Sequence, residues 1–326
     1  MGKIMNLKYI VKRILQLIPV LLLVSIFSFY LVNIAPGDPA ESYRSPGMTE
    51  EQFEAIKEEL GLNAPIHIQY FRWLGRILRG NLGNSIVLRQ SVSKLMGERL
   101  PATLGLMLSA MIFSLLVSVI LGVAAGMNKG KWVDKLISGF TYVGVSIPTF
   151  WYGIMLIIIF SLNLGLFPSN GMTSTGVDTF WDKAYHAVLP ILAISINKIS
   201  TYTRYIRANV ISQLGEEYVA TAIAKGASSL RIVLKHLMRN CMLPIITLLG
   251  MDMGDIVTGS YIIESVFGWP GLGTLSLNAI LGRDYPLMMG CTMLSCVVLI
   301  GGNFIADLVC AFADPRIRLE GRVADE

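Results

Sequence analysis

The sequence predicts an all-α membrane protein with six transmembrane helices and a helical loop outside the membrane between spans 1 and 2. Three observations carry that reading. Of 326 residues, 53% are hydrophobic and only 15% charged, where soluble domains carry roughly 25% charged residues. The apolar residues fall in runs long enough for the hydrocarbon core of a bilayer, about 20 residues each. Lys and Arg collect on alternate loops, the asymmetry that sets orientation. A soluble chain of this length would struggle to hide so much apolar surface. The net charge of +5 does not point to nucleic acid, because the basic residues stand beside apolar spans rather than among exposed aromatics.

Five runs are plain spans: residues 14–34, 100–127, 136–162, 240–263 and 286–306, the fourth of these carrying Asp252 and Asp255. A weaker run covers 184–203, with an apolar middle and Lys198 near its end. Six spans put both termini on one side, and the basic residues identify that side as the cytoplasm. Lys3, Lys8, Lys12 and Arg13, then Lys129, Lys131 and Lys135, then the segment from Lys198 to Arg239, then Arg316, Arg318 and Arg322 all share it. The two short loops opposite hold only Lys183 and Arg283. The first span is too long for a signal-peptide core and has no small-residue cleavage site after it, so it is expected to be retained. The chain thus divides into a cytoplasmic N-terminus and first span (1–34), an outer loop (35–99), a five-span core (100–312) with a cytoplasmic loop near 204–239, and a cytoplasmic tail (313–326).

The outer loop reads as structured. Thr49, Glu50, Glu51 and Gln52 form a capping box, and the helix it opens should end at Leu60 before Gly61. A second helix is expected from Pro65, with Ile66, Tyr70, Trp73, Leu74, Ile77 and Leu78 on one face, Arg72, Arg76 and Arg79 elsewhere, and Gly80 as its stop. It reads as an amphipathic helix at the membrane interface; a platform for a docked solute receptor is the sharper alternative.

Few residues carry evident chemistry. Asp252 and Asp255 stand within a span, where carboxylates are costly and mark function by default. Three residues apart, they are expected on one helical face. They either line a pathway that favours a cationic group or hydrogen-bond to neighbouring helices. Gly122 and Gly126, and Gly250 and Gly254, have the four-residue spacing that lets helix backbones approach. Cys241, Cys291, Cys296 and Cys310 act as small apolar residues, and no metal site is expected from them or from the dispersed His67, His186 and His236. A phosphate-binding Gly-x-x-x-x-Gly-Lys-Ser/Thr loop is absent, so the chain is expected not to hydrolyse ATP by that route and not to be catalytic by itself.

The most informative segment is 216–250. Good helix formers run from Glu216 to Ala224, Gly226 interrupts them, and a basic helix is expected through Arg231, Lys235 and Arg239. Too polar for lipid, this hairpin must lie at the cytoplasmic surface. It resembles the cytoplasmic loop of permease subunits of binding-protein-dependent ABC importers, in the dipeptide, oligopeptide and nickel branch. The resemblance extends through Ala35-Pro-Gly-Asp-Pro39, Leu60-Gly-Leu, Pro65-Ile-His-Ile-Gln-Tyr70 and Gly80-Asn-Leu-Gly83. It continues in Ser146-Ile-Pro-Thr-Phe-Trp151 at the third span, Glu264-Ser-Val-Phe-Gly-Trp-Pro-Gly-Leu-Gly273, Arg283-Asp-Tyr-Pro286 and Asp314-Pro-Arg-Ile-Arg318. In the broader superfamily a Glu stands six residues before the loop glycine; here that position is Ala220, and Glu217 lies one turn earlier.

The resemblance implies a type I ABC importer transmembrane domain in a bacterial or archaeal cytoplasmic (inner) membrane. It implies a coupling helix around Glu217, Tyr218, Thr221, Ala222, Lys225 and Gly226 that fits a groove of an ATPase. Its partners would be a second permease, two ATPase subunits or domains carrying ATP and Mg, an extracytoplasmic binding protein, and membrane lipid. No cofactor is expected on this chain itself. One of the glycine pairs would lie at the contact with the second permease. Di- or oligopeptides are the expected cargo, with nickel, metal chelates or glutathione as alternatives. Two other classes remain open from sequence alone: an ATP-independent carrier, and an intramembrane aspartyl protease using Asp252, Asp255 and Asp307.

Overall fold

A computed structural model describes residues 7–34, 44, 47–60, 63–228, 231–258 and 261–313. The motifs at residues 35–39, 61–62 and 314–318 lie outside these residues. Helix α1 (Leu7–Ile34) is the first span. Outside it follow α2 (Glu50–Leu60) and α3 (Ile66–Leu78). The capping box forms as expected, with the Gln52 N–H donating to Thr49 Oγ1 at 3.3 Å and the Thr49 N–H to Gln52 Oε1 at 3.1 Å. Helix α3 starts after Pro65 and ends before Gly80, whose φ of 77° is open to glycine without strain. Its apolar face packs on α1 and the last span: Tyr70 and Trp73 are buried against Phe29 and Met289, with Ile66, Leu74 and Ile77 alongside. Leu78, assigned to that face by periodicity, is instead exposed.

Helix α4 (Val92–Met127) begins two turns before the expected second span. It packs along α7 (Phe180–Leu214), a 35-residue helix, about 52 Å long at 1.5 Å per residue. The small residues of α4 permit that contact. A side chain at Gly122 would meet Ile206 Cβ at 2.6 Å, and one at Gly126 would meet Val210 Cγ1 at 2.6 Å. The hydroxyls of Ser114 and Ser118 are turned back onto carbonyls of Ala110 and Ser114 one turn earlier, so they cost little in the buried seam.

The third span is not one helix. Helix α5 (Trp132–Ser146) and α6 (Thr149–Leu156, continued by a π-helical turn Ile157–Asn163) meet at an angle of 102°. The cause is local. Pro148 offers no N–H and forces Ile147 out of the helical region, to φ −99° and ψ 131°. The Ser146 to Trp151 motif therefore divides the span that it was expected to open.

The fifth span is also divided. A π-helical turn Ile232–Leu237 leads into α9 (Met238–Met251), the chain turns at Asp252, and α10 (Met253–Thr258) and α11 (Tyr261–Val266) follow. Helix α12 (Leu272–Leu281) and the last span, α13 (Tyr285–Ala313), complete the chain. Among the described residues, α1, α4 and α13 are each long and apolar enough to cross a bilayer, and the bent α5–α6 pair makes a fourth crossing element. Helix α7 has the length, but its polar residues set it apart. All six segments expected to span are helical, two of them broken.

The glycine pairs pack within the chain. Gly250 abuts Ala306 of α13, and a side chain at Gly254 would meet Leu299 of the same helix at 3.0 Å. Gly122 and Gly126 are filled by α7. Both pairs are thus used for close helix approach inside this subunit.

Candidate functional site: the loop helix and the polar face of the fourth span

Helix α8 (Glu217–Ala224) stands at the inner end of α7, joined to it by Gly215 and Glu216. Its inner face is apolar. Val219 is fully buried and Ala222 nearly so, within a cluster formed by Tyr202, Ile206 and Val210 of α7, Ile232 and Leu237, and Cys241 and Ile245 of α9. The Tyr218 hydroxyl donates to Gln213 Oε1 at 2.6 Å, which ties α8 to the end of α7. The helix ends in a Schellman motif: the Gly226 N–H reaches the Ile223 carbonyl at 2.9 Å and the Ala227 N–H the Ala222 carbonyl at 3.1 Å. Gly226 takes φ 78° there, the left-handed turn its position in the sequence suggested.

The six residues expected to form the coupling region are thus split by the fold. Glu217, Thr221 and Lys225, at successive four-residue steps, form one exposed stripe, and Gly226 is exposed beyond it. Ala222 faces inward and Tyr218 is half-buried, so both hold the helix in place rather than present it. Ala220, which stands where the broader superfamily has Glu, and Ile223, not singled out in the sequence, are exposed beside the stripe. The outer face of α8 therefore combines two charges with apolar surface on a helix that the chain holds rigidly from behind.

A second contact steadies the same end of the molecule. Asp134, at the start of α5, accepts from Arg207 of α7 through both oxygens, Nε to Oδ1 at 2.5 Å and Nη2 to Oδ2 at 2.8 Å. The Gly130 N–H adds a bond to Oδ2 at 2.8 Å and the Ser138 hydroxyl one to Oδ1 at 3.3 Å. The Arg207 guanidinium holds the Asp134 carboxyl well below the usual carboxylate range; burial opposes this, and the Gly130 N–H reinforces it. This brace locks the α4–α5 turn to α7 two turns before α8.

Midway along α7 lies an ionic cluster. Lys198 Nζ is 3.0 Å from Asp252 Oδ2 and 3.3 Å from Asp255 Oδ2. One turn on, the Tyr202 hydroxyl donates to Asp252. The two carboxylates do not share a helical face, since Asp252 occupies the turn between α9 and α10. They converge because both are drawn to one ammonium. Asp252 is mostly covered, while the Asp255 side chain is 59% exposed. On α7 the exposed or half-exposed positions Lys198, Thr201, Arg204 and Tyr205 continue this polar face toward the inner end. The opposite face of α7, with Ile199, Tyr202, Ile206 and Val210, is buried.

Two further buried carboxylates carry structure. Glu264, fully buried, accepts from Thr103 Oγ1 at 2.8 Å and from the Thr274 N–H at 2.9 Å, so it caps the N-terminus of α12 and ties it to α4. Asp284 accepts from the Ser85 hydroxyl, from the N–H groups of Ile86 and Val87 at 3.2 Å each, and from the Leu287 N–H at 3.3 Å. It holds the turn before α4 onto the start of α13. Both residues were visible inside motifs, but Thr103 lies 161 positions from Glu264 and Ser85 lies 199 from Asp284, and spacing gave no sign of them.

Comparison with known proteins accounts for this arrangement. Residues 118–319 match the family model described as binding-protein-dependent transport system inner membrane component, and residues 6–107 match its N-terminal companion. The oligopeptide transport system permease protein AppB of Bacillus subtilis (strain 168) is 39% identical over 95% of this chain and 98% of its own length. The glutathione transport system permease protein GsiC of Salmonella paratyphi A is 36% identical over 96% of this chain and 99% of its own. A chain of the inward-facing MetNI methionine ABC transporter shares the fold, with a TM-score of 0.53 and 17% identity over 68% of this chain and 97% of that one. The match runs through both broken spans and the α8 hairpin, and the chain belongs to the family of binding-protein-dependent ABC importer permeases, as an inner-membrane subunit with the type I fold.

Proposed function

We propose that this chain forms, with a second permease, the translocation pathway of an ATP-driven importer of short peptides, and that α8 is the element through which separate ATPase subunits drive it. The exposed face of α8 is the observation that carries the coupling role. Glu217, Thr221 and Lys225 with Ala220 and Ile223 make a small, partly apolar patch on a helix buttressed by α7 and α9, and exposed apolar surface rimmed by charge suits a protein groove. Binding of ATP would close the ATPase dimer, draw the two coupling helices together and turn α7 and α9 through the apolar packing of Val219 and Ala222 beneath α8. The Asp134–Arg207 brace makes α5 move with them. Both termini and α8 face the cytoplasm in this reading, and an extracytoplasmic binding protein delivers the cargo.

The pathway is assigned to the polar face of α7 together with Asp252 and Asp255. Charges at this depth are tolerated where water or protein surrounds them, and Lys198 neutralises only one of two carboxylates. The residual negative charge favours the ammonium end of a peptide. Oligopeptides and glutathione, named for the relatives, both carry such a group, so the geometry does not divide them. A protease reading loses its footing, since Asp252 and Asp255 are both engaged by Lys198.

The test is Thr221→Trp in the assembled importer. Thr221 is exposed and makes no inward packing, so the variant should keep its melting temperature. Recovery of ATPase subunits with the tagged chain should fall about tenfold, the loss expected when one bulky side chain blocks a fitted groove. Undiminished recovery with full peptide-stimulated ATP hydrolysis would remove α8 from the interface.

A further inference from the structure

At the end of α1 opposite α8, a cleft of about 880 Å³ opens between α1, α3, the 81–86 segment and the start of α13. Apolar side chains of the spans line it in part, Phe29 and Val32 of α1 and Met289 of α13 with Trp73 of α3, beside the polar Asn33, Gln69, Asn81 and Asn84. Arg72, Arg76 and Arg79 of α3 also line it. Spaced by four and then three residues, they make one row along the helix. Among the described residues, none of the three guanidinium groups has a carboxylate partner, and the one acid lining the cleft is Glu58. The cleft is therefore basic at its rim and apolar over part of its wall.

A third feature of α3 fixes the level at which this row sits. Ile68, Phe71 and Leu78 follow one another on an exposed face, with Phe71 67% and Leu78 79% exposed. A 13-residue helix that buries one apolar face on two spans, exposes another and carries three arginines between them is suited to lie at the boundary of acyl chains and headgroups. Phe71 and Leu78 then enter the acyl region, and the arginines stand at the height of the phosphates. An Arg fork matches a phosphate in two parallel bonds.

We propose that this cleft is a binding site for an anionic phospholipid, its phosphodiester held by Arg72, Arg76 and Arg79 and an acyl chain laid against Val32 and Phe71. The lipid completes the apolar joint between α3 and the spans and anchors the outer loop to the membrane. This role does not depend on α8 or on the cargo. An acidic patch on a binding protein is the competing occupant. It would answer the charge and leave Phe71 and Leu78 uncovered, so the lipid is favoured.

The experiment uses the purified full-length chain reconstituted in nanodiscs of equal phosphatidylglycerol and phosphatidylcholine, released and weighed by native mass spectrometry. One phosphatidylglycerol should remain bound in preference to phosphatidylcholine. The triple variant Arg72→Gln, Arg76→Gln, Arg79→Gln should lower that preference by about a hundredfold, from about fivefold for each arginine near an anionic surface. The corresponding triple Lys variant should retain most of it, which separates charge from damage to the fold. Equal retention of both lipids by the native chain, or an undiminished preference in the Gln variant, would overturn the proposal. So would a Gln variant that keeps its lipid and loses only capture of the importer's binding protein.

Discussion

Replacing Asp134 with Asn removes the charge that Arg207 answers and keeps the side-chain shape. The carboxylate takes two guanidinium N–H groups, at 2.5 and 2.8 Å, and the Gly130 N–H at 2.8 Å. An amide offers one acceptor oxygen, so one of the two Arg207 bonds becomes N–H against N–H. Net, a hydrogen bond to a charged group contributes roughly 1.5–3 kcal/mol. The Arg207 side chain is 31% exposed, and water there recovers part of the loss. The balance is about 2 kcal/mol, or about 4 °C in melting temperature at about 2 °C per kcal/mol for a large chain. The pH dependence has a definite sign. Asp134 is held below the value of roughly 3.9 that it has when unfolded, so its contribution is complete above that value and is lost as pH falls through the folded one. Thermal unfolding of native chain and variant in the same detergent should therefore show a deficit that is constant from about pH 5 to 9 and shrinks only below about pH 4. No deficit at neutral pH, or one that changes between pH 6 and 8, would refute the reasoning.

Two further substitutions test the other buried carboxylates. Glu264→Ala strands the Thr274 N–H and the Thr103 hydroxyl in a fully buried site and should cost about 3 kcal/mol or more, read as lowered thermal stability; a change under about 0.5 kcal/mol would mean that α12 needs no such cap. Asp252→Asn leaves Lys198 its contact with Asp255 at 3.3 Å and should fold normally, while uptake of peptides with a free ammonium falls about tenfold relative to N-acetylated ones, an effect of the size expected for one charge about 12 Å away at an effective dielectric near 20. Uptake unchanged for cargo of every charge would take the carboxylates out of the pathway.

Local signals in the sequence were read accurately where the cause was itself local. The Thr49 to Gln52 box, the start at Pro65 and the left-handed turn at Gly226 all depend on backbone groups within a few residues. Pro148 carried a signal too. A proline inside an apolar run removes one N–H and restricts the residue before it, and the 102° bend follows from that. Apolar length alone concealed it, because hydropathy measures a run and is blind to direction. The buried network was illegible for a different reason. Glu264 and Thr103, or Asp284 and Ser85, are joined only by the tertiary fold, and a carboxylate in a motif reads the same whether it is a cap, a brace or a ligand.

The weakness of the fourth span in the sequence is itself informative. Helix α7 buries Ile199, Tyr202, Ile206 and Val210 on one side and carries Lys198, Thr201, Arg204 and Tyr205 on the other. Averaged around the helix, the two faces cancel, and the segment falls short of a plain span although it is among the longest helices. A helix crossing through lipid alone would have no reason to keep that polar face. Its inner end meets α8 directly, and Arg207 binds it to α5 in between. The same helix therefore joins the polar face around Lys198 to α8 at its C-terminal end, with Val210 and Ile206 packed between them and α4. Any displacement of α8 must be transmitted along α7 as a packed rod, because Gly122 and Gly126 leave no slack on its α4 side. Lys198 then moves relative to Asp252 and Asp255, which sit on separate elements. The break between α9 and α10 allows those carboxylates to follow α7 or to part from it.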